Sequence, residues 1–141
     1  MVALTHKSEQ VCGGSLIADD IVLSSAHCST LINGASIGRN DLNDESEIFE
    51  IYNIETVINH PSFQGSNDFD NDFMLLKLYG WSLKKVVTLN KDPNVPANGD
   101  ELTIIGYGKD NMETTTSAGK LKGTSTLIFF FSYYVFTLVH A

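Results

Sequence analysis

Cysteine and positive charge are both scarce in this chain. Only Cys12 and Cys28 occur in 141 residues, and nine Lys and Arg stand against 17 Asp and Glu, for a formal net charge of −8 and an isoelectric point near 4.7. The shortage of cations argues against a nucleic-acid partner, whose phosphates would be repelled, and disfavours an anionic membrane surface on the same ground. The two cysteines form no Cys-x-x-Cys pair and no His-Glu-x-x-His string is present, which removes the common zinc and dithiol signatures. No metal or other cofactor is expected. The longest apolar run, residues 127–139, is shorter than the ~20 residues a membrane-spanning helix needs. At the start, Met1-Val2-Ala3-Leu4 turns polar at Thr5, with neither a basic n-region nor a long apolar h-region, so it does not read as a signal peptide.

What the chain does contain is enough apolar material for one ordinary domain, with 43% hydrophobic residues. The stretch that organises it is Ser24-Ser25-Ala26-His27-Cys28. A tight small-residue corner presents one imidazole there, and histidine can take and return a proton near neutral pH, which makes His27 a candidate general base. Leading into it, Cys12-Gly13-Gly14-Ser15-Leu16-Ile17-Ala18 and Ile21-Val22-Leu23 read as two short strands around a turn at Asp19-Asp20, with a cysteine at each end. A disulfide between them would contribute about 3 kcal/mol and imply an oxidising compartment; two buried thiols are the alternative.

Cys-Gly-Gly-Ser-Leu-Ile followed by Val-Leu-Ser-Ser-Ala-His-Cys resembles the histidine region of the chymotrypsin/trypsin-like serine proteases, which hydrolyse peptide bonds through a Ser-His-Asp triad. A second landmark supports it. The acidic run Asn67-Asp68-Phe69-Asp70-Asn71-Asp72 meets the apolar strand Phe73-Met74-Leu75-Leu76-Lys77-Leu78, and only the last carboxylate sits where burial begins. Asn-Asp-x-Met-Leu-Leu-Lys-Leu resembles the family's aspartate motif, which implies that Asp72 accepts from His27 Nδ1 and fixes its tautomer. The resemblance implies protein or peptide substrates and an extracellular setting. It also implies a fold: an all-β, six-stranded antiparallel Greek-key barrel, the first of two.

Other stretches were weighed against this reading. Gly34-Ala35-Ser36-Ile37-Gly38 satisfies Gly-x-Ser-x-Gly, with Asp72 and His140 following in hydrolase order, but residues 39–45 have turn chemistry where a helix is required, so Ser36 reads as a strand residue. The acidic stretch 41–50 lies where some relatives bind calcium; it looks short for that purpose and Arg39 stands near a ligand position, so a solvated acidic loop is expected. Residues 48–58 read as a strand with a bulge or break near Asn53, and Asn59-His60-Pro61-Ser62-Phe63 as a corner in which His60 is structural. The stretch 91–99 reads as a loop. Residues 101–108 read as a strand resembling the family's Gly-Trp-Gly segment with Tyr107 for Trp, which in relatives closes the first barrel.

The resemblance covers residues 1–122, the first half of such a protease. No Ile-Val-Gly-Gly-type activation terminus precedes it and no Gly-Asp-Ser-Gly-Gly follows. The nucleophile, oxyanion hole and specificity pocket have no counterpart, and the chain alone is expected to be inactive. Residues 123–141 are expected to be a linker and an apolar tail outside the family pattern, explained by a premature end or, failing that, a membrane-dipping anchor. Two function classes stay open, a serine endopeptidase fragment and a non-catalytic protease-like binding or decoy module.

Overall fold

The computed structural model describes residues 1–65, 70–108 and 119–127. The described residues form eight strands, β1 (Val2–His6), β2 (Glu9–Ala18), β3 (Ile21–Ser24), β4 (Gly34–Ile37), β5 (Glu50–Asn59), β6 (Met74–Leu78), β7 (Glu101–Gly106) and β8 (Lys122–Leu127), and one 3-10 turn at Ala26–Cys28. The first six close an antiparallel barrel in the order β1-β2-β3-β6-β5-β4, which confirms the expected all-β Greek-key barrel. Its interior is filled by the alternate residues that a pleated strand turns inward: Val2 and Leu4, Leu16, Val22, Ile37, and Met74, Leu76 and Leu78 form one cluster, each at most 2% exposed.

Two local features give the barrel its shape. Gly14 lies where β2 passes over β3, and a Cβ there would meet Val22 Cγ1 at 2.6 Å and the Leu23 carbonyl at 3.1 Å. Only glycine allows that approach. β5 serves two neighbours, pairing with β4 through Glu50–Asn53 positions and with β6 from Ile54 onward, and its register shifts between Ile54 and Thr56. The break expected near Asn53 thus falls at Glu55, where the strand turns the barrel corner.

Glu50 ties this strand to the segment after β6. Its carboxylate accepts from the Ser82 hydroxyl at 2.5 Å and the Leu83 amide at 3.1 Å, with the Tyr52 hydroxyl 3.3 Å away. Burial alone would raise the Glu50 carboxyl, but these donors outweigh it and hold it below its ordinary value.

Two expectations are corrected. The barrel closes through β1 and β4, so the 101–106 strand does not close it; β7 pairs instead with β8. The reason is that both edges of β1 are already occupied, by β2 and β4. The linker expected from residue 123 is strand at its start, since β8 is rich in Thr and pairs along its whole length with β7. Tyr107 is 1% exposed, its hydroxyl donating to the Arg39 carbonyl at 2.5 Å, which fastens the end of β7 to the barrel. Residues 91–99 form a loop as expected. The apolar tail beyond Leu127 with His140, and Asn67 and Asp68 of the acidic run, lie outside the described residues.

Candidate active site

His27 is delivered by the end of β3. Ser24, 1% exposed, donates its hydroxyl to the Gly13 carbonyl at 2.7 Å, pinning β3 to β2 just before the chain leaves the sheet. Ser25 keeps an extended backbone and the 3-10 turn follows at once, with the Cys28 amide donating to Ser25 and the Ser29 amide to Ala26. Small residues suit this corner because Ala26 is fully buried against the core, where a larger side chain would clash.

The Cys12–Cys28 disulfide closes beneath the turn and joins it to β2, so the pairing expected of the two cysteines is present. Among the described residues, the grouping of metal-capable side chains is Cys12, His27 and Cys28, with ligand atoms within 4.8 Å of one another. Two of these three are sulfurs bonded to each other, and a disulfide sulfur is not the thiolate that binds zinc.

Asp72 approaches from the turn before β6. Asn71 has φ 58°, a left-handed conformation that Asn tolerates better than most residues, and the Phe73 amide donates to the Asn71 carbonyl at 2.8 Å. This tight reversal swings the Asp72 carboxylate under the imidazole. One oxygen, Oδ2, lies 2.7 Å from His27 Nδ1, and the other, Oδ1, accepts from the His27 backbone N–H at 2.8 Å. The His27 side chain is 31% exposed and that of Asp72 13%, so the pair sits at the surface with the carboxylate beneath and the ring above.

The other residues singled out in the sequence lie elsewhere. Asp70 is exposed in the preceding loop. His60 packs on Phe73 with ring centroids 4.5 Å apart, and its Nδ1 accepts from the Ser62 amide at 3.2 Å. Ser36 stands inside β4, paired with Ala3 and Ile51, and no helix follows it among the described residues. In the acidic stretch the oxygens are taken by the loop itself: Glu47 accepts from the Asn40 and Asp41 amides, Asp41 from the Asn43 amide with Lys120 at 3.2 Å, and Asp44 from Ser46. Sequence reasoning missed the role of Asn71 and of the Ser24 hydroxyl. The Asn-Asp dipeptide before an apolar strand was a signal for the first; nothing in the sequence pointed to the second.

Comparison with known proteins agrees with this geometry. A family model described as Trypsin matches residues 1–127. Granzyme E of Mus musculus is 29% identical over 125 residues, covering 86% of this chain and 50% of the relative. Granzyme B of Rattus norvegicus is 32% identical over 110 residues, 74% of this chain and 43% of the relative, and trypsin of Sus scrofa 34% over 105 residues, 73% and 45%. The chain spans about half the length of these relatives. Among solved structures, neuropsin, a serine protease expressed in the limbic system of mouse brain, superposes with a TM-score of 0.81 at 26% identity, over 91% of this chain and 58% of that one. The barrel that carries His27 and Asp72 is therefore the N-terminal half of a chymotrypsin/trypsin-like fold, and the chain belongs to the trypsin family of serine proteases.

Proposed function

We propose that this barrel supplies the base and its orienting partner for peptide-bond hydrolysis, in a site completed by a serine nucleophile that these 141 residues do not contain. The observation that carries the reading is the double grip of Asp72 on His27, at Nδ1 and at the backbone N–H. The grip holds the proton on Nδ1, which makes Nε2 the basic nitrogen of the ring. Nε2 takes the proton of a serine hydroxyl as that oxygen attacks a peptide carbonyl, then returns it to the departing amine to leave an acyl-enzyme. A water, deprotonated by the same nitrogen, releases the acyl group. Asp72 stays ionised and stabilises the imidazolium. Substrates are proteins or peptides, and the disulfide fits an extracellular setting.

The chain alone is then inert, holding a base with no hydroxyl to activate. The test joins residues 1–127 to the C-terminal half of a trypsin, with a correctly processed N-terminus. The chain by itself should neither cleave peptide substrates nor react with serine-directed phosphonates, and the chimera should do both. In the chimera, His27→Ala should remove nearly all turnover, while His60→Ala should leave most of it. A folded chimera whose hydrolysis survives His27→Ala overturns the assignment. A folded chimera with no activity favours a non-catalytic binding module instead.

A further inference from the structure

Asparagine followed by glycine occurs twice in the chain, at Asn33-Gly34 and at Asn98-Gly99. The pairing matters chemically. A glycine nitrogen, with no side chain beside it, can reach the carboxamide carbon of the preceding asparagine and close a five-membered ring. Closure requires the peptide between the two residues to turn, so the backbone around it decides whether the reaction runs. Asn33 and Asn98 are both exposed, and the two backbones differ.

Asn33 and Gly34 are held on both sides. The Asn33 amide donates to the Thr5 carbonyl at 2.9 Å, and the Asn33 carbonyl accepts from the Ile54 amide at 3.4 Å. Gly34 is buried at the start of β4, opposite Thr5 in β1 and Asn53 in β5, and a Cβ on it would meet Thr5 Oγ1 at 2.8 Å. Turning this peptide means opening two strand pairings at once. Asn98 and Gly99 are instead the centre of a turn whose four residues, Ala97 to Asp100, are all exposed. The Asp100 amide donates to the Ala97 carbonyl at 3.1 Å, and Gly99 has φ 90°, as the third residue of a type II turn requires. Type I and type II turns differ by a flip of the central peptide, so this peptide can turn while Ala97 and Asp100 stay bonded. A Cβ on Gly99 would meet nothing beyond its chain neighbours within 4 Å, and among the described residues the Gly99 N–H donates no hydrogen bond.

We propose that Asn98 is a site of spontaneous modification, at which the chain converts this asparagine to aspartate and isoaspartate. The Gly99 nitrogen gives its proton to water and bonds to Asn98 Cγ; the Cγ–Nδ2 bond breaks, and Nδ2 takes a proton from water and leaves as ammonia. The product is a cyclic imide, and water then adds to one of its two carbonyls. Breaking the bond from the Gly99 nitrogen to Cγ leaves an aspartate. Breaking the bond to the main-chain carbonyl carbon leaves an isoaspartate, whose backbone runs through the former side chain. Either product adds one negative charge to the formal −8 and sets it beside Asp100, whose carboxylate already accepts from the Ala97 amide at 2.7 Å. The isoaspartate also lengthens the turn by one backbone atom just before β7. None of this depends on the catalytic reading, because the reaction uses only Asn98, Gly99 and water.

The full chain is held in neutral buffer, folded or in concentrated urea, and sampled over time. Each sample is digested in ¹⁸O water, so that conversion during digestion is marked and set aside. The peptides holding Asn33 and Asn98 are followed by the mass gain of deamidation, with electron-transfer fragmentation separating aspartate from isoaspartate. In the folded chain Asn98 should convert at least about tenfold faster than Asn33, since each 1.36 kcal/mol needed to open β4 slows Asn33 by a factor of ten. In urea the two rates should draw together, because both sites are then Asn-Gly in an open chain. Asn98→Gln, which would need a six-membered ring and keeps the turn, should abolish the mass gain at that peptide. An Asn98 that stays intact in the folded chain while converting in urea, equal rates at the two sites in the folded chain, or a mass gain that survives Asn98→Gln overturns the proposal.

Discussion

Replacing Asp72 by Asn should invert the tautomer of His27. The two oxygens of Asp72 have different tasks: Oδ1 accepts the His27 backbone N–H at 2.8 Å and Oδ2 faces Nδ1 at 2.7 Å. An asparagine has one oxygen and one NH₂ for these two places. The backbone N–H can only donate, so it claims the amide oxygen and the NH₂ is left facing Nδ1. Nδ1 must then accept, which puts the ring proton on Nε2, where it blocks proton uptake from a nucleophile. The corresponding change in a Ser-His-Asp triad lowers turnover by about 10⁴, or about 5.5 kcal/mol at 1.36 kcal/mol per decade. Two assays read it. Long-range ¹H–¹⁵N correlations on the isolated chain should show the neutral ring protonated at Nδ1 in the parent and at Nε2 in Asp72→Asn, and the chimera should lose turnover by the stated factor. If the variant folds and keeps its proton on Nδ1, the account of how Asp72 directs His27 is refuted.

Further outcomes concern the barrel that holds this pair. Leu76→Ala, at a fully buried position in β6, should cost about 3 kcal/mol, seen as a lower urea midpoint at unchanged slope; a loss under about 1 kcal/mol would mean the cavity collapses freely. Because Glu50 titrates below its ordinary value of 4.5 in the folded state, its contribution is present above that value and lost as pH falls through the lower folded one, so Glu50→Gln should flatten the acid limb of the stability profile; an unchanged limb would assign it to other carboxylates. Replacing both cysteines by Ser should lower stability by about 3 kcal/mol, given a 16-residue separation, and alkylation of two thiols in oxidatively folded parent protein would contradict the bond.

How far the sequence carried depended on whether a feature was local. The β2–β3 hairpin was readable because Gly14 and the Asp19-Asp20 turn act within a few residues, and Asp72 because burial begins just after it. Which strands close the barrel was not, since the pairing of β1 with β4 brings together residues about 30 positions apart whose side chains carry no mark of their partner. The same holds for β7: its apolar and polar residues alternate equally well beside the barrel or beside β8. Arg39 and Ser36 illustrate a further gap. In the sequence Arg39 reads only as an obstacle to calcium and Ser36 only as a strand residue, because a missing hydrogen bond is a property of the assembled barrel and has no sequence signature.

The anchoring of His27 and Asp72 bears on what this barrel can hold by itself. His27 depends on the Ser24 hydroxyl, the buried Ala26 and the disulfide to β2; Asp72 depends on the Asn71 reversal and on β6, which pairs with β3 from Ser24 to Ile21. Ser24 itself pairs with Met74, two residues beyond Asp72, so the two side chains meet across one rung of a ladder whose strands both belong to this half. Their separation is therefore set by backbone hydrogen bonds and a filled core. On the proposed reading, preorganisation of the base is a property of the first barrel, and a serine hydroxyl placed against Nε2 completes the site.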